Sequence, residues 1–249
     1  MKDRAFLLIV CLITLLSCRT RKTAGELLEN AKLETGNRAI HYYSRAILRD
    51  GNNVEAWWRR GDEYYQMGAF RKAIQDFDKA ISIDSSFNSG YLFGDKGNAE
   101  QAIGNYTAAL KDYTLALAFC DPVSAEYPTT PRENFHFYRA QTWLALNDTT
   151  LAMKDLDSAI YYWNRFPRAI WLRAKIKVAK GNYIEALNDY NMLPVNYGNT
   201  ADFPDCAEDF YFCGLAKFKT GDTTFCSYWK VAAEYHYPKA IKDISEYCK

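Results

Sequence analysis

Residues 54–87 read VEAWWRRGDEYYQMGAFRKAIQDFDKAISIDSSF, and the spacing within this stretch decides the fold. Gly61 is followed by a turn residue at Gly68, then by Ala73, Phe77 and Ala80 at helical steps. Apolar residues recurring every three or four positions on both sides of a glycine describe two amphipathic helices joined by a tight turn. With Val54 as position 1, the pattern returns in frames opening at Gly90, Glu133, Pro167 and Ala207, and more weakly near Thr20.

Aligned, the frames form columns. Position 8 reads Gly61, Gly97, Ala140, Ala174 and Gly214, small because the two helices of a pair cross there. Position 24 supplies the facing bulk with Tyr43, Phe77, Tyr113, Leu156 and Tyr190. Position 20 reads Ala39, Ala73, Ala109, Ala152, Ala186 and Cys226, and position 27 reads Ala46, Ala80, Ala116, Ala159 and Ala233. The turn falls at Gly68, Gly104, Asn147, Gly181 and Gly221. These rows pack helices and touch no ligand. Two departures stand out: in the last frame position 24 falls on Lys230 with Trp229 beside it, and in the fifth Leu193 stands where alanine is usual, followed by Pro194.

This helix–turn–helix signature, at a period of about 34 residues, resembles the tetratricopeptide repeat. The resemblance covers Thr20 to Lys249 and implies an all-α fold, a right-handed α-solenoid of about six helix pairs with a C-terminal capping helix. The repeats fall at 20–53, 54–87, 90–123, 133–166, 167–200 and 207–237, with the cap at 238–249 opened by Pro238. Helices are expected over 24–33 and 37–49, 54–67 and 70–83, 91–103 and 106–119, 134–146 and 150–163, 168–180 and 183–192, 207–219 and 224–234, and 238–247. The long connections 121–132 and 194–206 read as tolerated surface insertions.

Residues 1–17 carry a different message. Lys2 and Arg4 precede an apolar run from Ala5 to Leu16, too short to span a hydrocarbon layer of about 30 Å, and the segment is expected to be an export signal. Leu15-Leu16-Ser17-Cys18 resembles the lipobox of bacterial lipoproteins, which implies cleavage before Cys18 and its acylation. Residues 18–23 then form a lipidated tether to the repeat domain at 24–249, with Arg19, Arg21 and Lys22 against anionic head groups. Taken with the repeats, the chain resembles a tetratricopeptide-repeat lipoprotein of Gram-negative bacteria. No acidic residue follows Cys18 closely, so the expected place is the cell envelope, at the outer membrane and facing the periplasm.

Removing residues 1–17, which hold Lys2, Asp3 and Arg4, leaves 29 basic and 29 acidic residues, a balance that offers no electrostatic footprint for nucleic acid. The cysteines after Cys18 are Cys120, Cys206, Cys213, Cys226 and Cys248, an odd number that leaves at least one free thiol in an oxidising compartment. The stretch from Gly221 to Lys230, with Glu246-Tyr247-Cys248, resembles the C-terminal cap of envelope tetratricopeptide lipoproteins, and that resemblance implies a disulfide between Cys226 and Cys248.

Chemistry finds no foothold. His41, His136 and His236 fall on different repeats, and no metalloprotease, nucleophile-elbow or phosphate-loop motif occurs, so no catalytic residue, metal site or cofactor is expected. The acidic column Asp76, Asp112, Asp155 and Asp189 reads as a solvated helix face, with Asp76 and Lys79 at i,i+3 spacing. Binding is expected on the inner face of the superhelix, which in this family is lined by positions 2, 5, 9, 12 and 13 of the first helices. Here that gives Trp58, Asp62, Tyr65, Tyr91, Asn98, Phe137, Gln141, Trp171, Lys175 and Tyr211. The lysine and asparagine set that clamps a terminal carboxylate in the chaperone-adaptor branch is absent. The aromatic row suits a protein or peptide partner, the alternative being stacking on sugar rings as an accessory to polysaccharide uptake.

Overall fold

The computed structural model describes residues 22–120, 132–193 and 206–248, and these are helical with no strand among them. The chain divides into two compact units, residues 1–121 and 122–249.

Unit 1 holds three helix pairs: α1 (Ala24–Lys32) with α2 (Asn37–Arg49), α3 (Val54–Gln66) with α4 (Phe70–Ile83), and α5 (Ser89–Ala102) with α6 (Tyr106–Phe119). Consecutive pairs stack, α2 on α3 and α4 on α5. The first helix starts with a reciprocal cap in which the Glu26 N–H donates to Thr23 Oγ1 and the Thr23 N–H to Glu26 Oε2. Unit 2 holds α7 (Arg132–Ala145) with α8 (Thr149–Tyr162), α9 (Pro167–Ala179) with α10 (Tyr183–Tyr190), α11 (Cys206–Thr220) with α12 (Phe225–Glu234), and a terminal α13 (Pro238–Tyr247) packed on α12. Helix α10 stops at Tyr190, two residues before the sequence-based expectation.

In every pair but the first the turn is the same. After α3, the Ala69 N–H donates to the Tyr64 carbonyl and the Gly68 N–H to that of Tyr65, with Gly68 at φ 74°. Asn147 takes the left-handed place after α7 at φ 63°. The small column is close-packed: a β-carbon at Gly61 would lie 2.7 Å from the Phe77 ring, and one at Gly97 would lie 2.8 Å from Tyr113.

The last pair corrects the sequence register. Trp229, 1% exposed, is the knob over Gly214, whose β-carbon would meet it at 2.5 Å, while Lys230 points to solvent. Ala232, not Ala233, is the fully buried alanine. Gly221 precedes Phe225 by four residues where Gly68 precedes Ala73 by five, so one residue is missing after the turn and every later column moves by one.

The acidic column is also not a solvated face. Asp76, Asp112, Asp155 and Asp189 are buried, at 3–5% exposure, each beside a basic residue from position 7 of the same pair. Arg60 donates from Nε and Nη2 to Asp76 at 2.7 and 2.8 Å, and Arg139 does the same to Asp155 at 2.8 and 2.7 Å. Arg173 donates to Asp189 at 3.0 and 2.6 Å. A planar fork matched to a carboxylate ties the first helix of a pair to the second at a fixed height. Losing one partner of such a buried pair costs about 3–5 kcal/mol.

Candidate functional site

Position 5 of each first helix is a seam between neighbouring repeats. Trp58 on α3 is 6% exposed, and its indole N–H donates to Asp95 Oδ2 on α5 at 2.8 Å. Its ring meets Phe87 edge-on, with the Arg59 guanidinium 4.1 Å from its centre. Phe137 on α7 is 3% exposed and packs edge-on against Phe166, just before α9. Tyr211 on α11 is 7% exposed, stacks near Trp229, and donates its hydroxyl to Asp243 on α13 at 2.9 Å.

These three aromatics therefore belong to the core, which corrects their reading as an open aromatic row for a partner. In each case the side chain crosses to the next helix in the stack and is covered by it. Trp171 keeps some surface: it is half-buried, with its ring 4.7 Å from that of Tyr190. In unit 1, Asp62, Tyr65, Tyr91 and Asn98 are half-buried, as are Gln141 and Lys175 in unit 2. Asn98 Oδ1 lies 2.8 Å from the Tyr113 hydroxyl and so helps hold the knob of its own pair. Lys175 bonds Glu208 and sits 5.4 Å from the Phe212 ring, joining α9 to α11. Each unit thus presents a polar first-helix face edged by a few half-buried rings.

Two carboxyls have environments that the sequence reading missed. Burial pushes Asp95 up to about 7 against the Trp58 hydrogen bond, with Asp62 adding repulsion. Burial also pushes Asp112 up to about 6, because Lys96 stands 3.7 Å away and offers no fork. At Asp155 burial acts upward too, but hydrogen bonds from His136 and Arg139 outweigh it and hold the carboxyl below its ordinary value. The sequence signal for the ion pairs was the sixteen-residue spacing of Arg60 and Asp76, repeated at Arg139 and Asp155 and at Arg173 and Asp189.

Cys226 and Cys248 are joined, with their Cα atoms 5.8 Å apart, closing α13 onto α12. Cys18 lies outside the described residues. Among those residues no group of histidine, cysteine and carboxylate side chains could hold a metal ion, and no helix is long and apolar enough to cross a membrane.

Comparison with known proteins fits this architecture. Residues 54–87 match the family model of the tetratricopeptide repeat. A tetratricopeptide repeat and J domain-containing co-chaperone of Fusarium oxysporum is 26% identical over 192 residues, 76% of this chain and 36% of that protein. Hsp70-Hsp90 organizing protein 3 of Arabidopsis thaliana is 34% identical over 89 residues, 36% of this chain and 15% of that protein. The chain therefore spans about a third or less of the length of these curated relatives. Among solved structures, PilW, a type IV pilus biogenesis factor, superposes with a TM-score of 0.67 at 17% identity, covering 90% of this chain and 99% of that one. The chain is an all-α protein of the tetratricopeptide-repeat fold, and its second helix pair carries the family's sequence signature.

Proposed function

We propose that this chain is a lipid-anchored interaction scaffold of the bacterial cell envelope, holding a peptide or protein segment against the first-helix faces of its repeats. One observation carries the reading: the strong ionic and aromatic groups of the repeats are spent on holding helix to helix, as Arg60 with Asp76 and Trp58 with Asp95 illustrate, which leaves a stiff repeated surface. A stiff surface binds a flexible segment at low ordering cost on its own side. The likeness to co-chaperone and organizing proteins supports a protein partner. Asp62, Tyr65 and Tyr91 in unit 1, with Gln141 and Trp171 in unit 2, are the assigned contacts.

The anchor rests on Leu15-Leu16-Ser17-Cys18 at the end of an apolar run, and the assigned place is the periplasmic face of an outer membrane. The test is affinity capture of the full chain from detergent-solubilised envelope, beside a Cys18→Ala variant. The reading predicts one protein recovered at stoichiometric yield, and palmitate labelling in the parent but not in the variant. Labelling of the Cys18→Ala variant would remove the anchor, and a specific glycan in place of a protein partner would remove the scaffold.

A further inference from the structure

The edge of unit 2 where α8 ends and α9 begins differs from the rest of the described surface. Tyr161 is 83% exposed, and Tyr162 and Trp163 are each 47% exposed, three large rings in a row. Arg165 and Arg168 follow, both exposed, and Arg132 at the start of α7 lies beside Tyr162, its Nη1 3.3 Å from the phenol oxygen. Residues 161–168 contain no acidic side chain.

Within unit 2, charge separates these arginines from the other two, Arg139 and Arg173. Arg60, Arg139 and Arg173 are each neutralised by a buried aspartate, whereas Arg132, Arg165 and Arg168 have no ion-pair partner among the described residues. Asp157, one turn before Tyr161, is already held by Arg173 at 2.8 Å. The rings are also set in place. Tyr162 stacks on His136 with planes 13° apart, and Trp163 stacks on Phe166 with planes 18° apart. Tyrosine, tryptophan and arginine are the residues that carry most binding energy at protein interfaces, and rings already fixed lose little entropy on binding.

We propose that Tyr161, Tyr162 and Trp163, with Arg132 and Arg165, and with Arg168 where they meet the first-helix face, form a docking surface for an acidic segment of a partner protein. Three unneutralised guanidiniums call for carboxylates, which they meet in two-bonded forks. Two of the three rings lie flat against the protein surface, where they can stack under a peptide, whereas insertion into a lipid layer calls for rings that project. The inference rests on the scaffold reading in that both are protein contacts, and it gives that scaffold a second surface.

The test is selection from a random 12-residue peptide display library on the full chain in detergent, followed by fluorescence anisotropy with the enriched peptides synthesised. The enriched peptides are expected to be acidic, to lose at least tenfold in affinity when their carboxylates are replaced by amides, and to lose as much against a Tyr161→Ser, Arg165→Glu variant. Arg165→Glu alone removes no packed ring and repeats the measurement on an undisturbed fold. A first-helix variant, Asp62→Ala with Gln141→Ala, should leave these affinities within twofold. Peptides weakened only by the first-helix variant would overturn this surface and leave the scaffold reading standing. No enriched peptide at all would count against both. Retention on phosphatidylglycerol vesicles, lost in Arg165→Glu and without any acidic peptide binding, would overturn the proposal in favour of a lipid surface.

Discussion

Lys96 and Asp112 fill the places that arginine and aspartate hold in three other helix pairs, and their charged atoms stand 3.7 Å apart with Asp112 Oδ2 left without a hydrogen-bond partner. Lysine is a point charge and cannot supply two parallel N–H donors. Its ammonium is shared with Asp78 at 2.9 Å.

Lys96→Arg should therefore stabilise the protein at neutral pH, by roughly 0.5–2 kcal/mol for one charge-assisted hydrogen bond gained. The sign with pH follows from the raised carboxyl. Asp112 moves from its ordinary 3.8 to about 6, so the folded state holds the proton more tightly, and stability falls as pH rises through that window. The variant should lose this fall, so that its advantage is present above pH 6 and absent near pH 4. Chemical denaturation across that range checks it, and equal curves for parent and variant would refute the pairing.

Asp95→Asn separates charge from hydrogen bonding. The amide oxygen can still accept the Trp58 indole N–H, while the charge that burial opposes is gone. Asp95 is raised from 3.8 to about 7, so the parent should lose stability as pH rises from about 4 to about 7, and the variant should not. At pH 8 the variant should be more stable by roughly 1–2 kcal/mol, less than the full shift implies because the amide also gives up hydration at this site. Asp95→Ala should instead destabilise by about 1–3 kcal/mol, since it strands a buried indole N–H. Melting temperatures of the three proteins at pH 5 and pH 8 give the comparison.

Gly214→Ala should destabilise by about 1–3 kcal/mol, because its β-carbon would fall 2.5 Å from Trp229 Cδ1 and 3.2 Å from the Phe225 carbonyl oxygen. Neighbouring repeats stabilise one another, so the loss should spread into α9 and α10. Hydrogen exchange of those helices reads the spread, and an unchanged denaturation midpoint would put Trp229 elsewhere.

Cys226→Ser should cost about 3 kcal/mol by reopening a closed segment of this length. The effect should concentrate at α13, where Ala240 and Ile244, with Tyr237 just before the helix, join Trp229 and Ala232 in one apolar cluster. Limited proteolysis of the variant should cut near Pro238 before any other helix is lost. Cleavage no faster than in the parent would show that packing alone holds α13.

Much of this fold was legible from spacing alone. The columns at Gly61, Gly97 and Ala140 against Phe77, Tyr113 and Leu156 describe the same contact at successive pairs, and the structure packs them so. A fixed spacing cannot report a deletion that falls inside a turn, and for that reason Lys230 stood where Trp229 belongs. The aspartates at position 23 looked solvated because carboxylates usually are, and only the matching arginine sixteen residues earlier shows that burial has been compensated. The aromatics at position 5 were harder. Whether Trp58 or Phe137 faces solvent depends on the residue opposite, Asp95 in the next repeat or Phe166 at the junction with it. Periodicity within one repeat carries no information about it.

The scaffold claim is tested most directly by placing a photo-crosslinking amino acid at single positions of the lipidated chain in its own envelope. Positions 91 and 141 lie on the first-helix faces of units 1 and 2, while Leu48 and Ile184, 84% and 71% exposed, lie on second helices. The account predicts one protein adduct, formed from positions 91 and 141 and not from 48 or 184. Adducts of equal yield from all four positions, or none from 91 and 141, would contradict it.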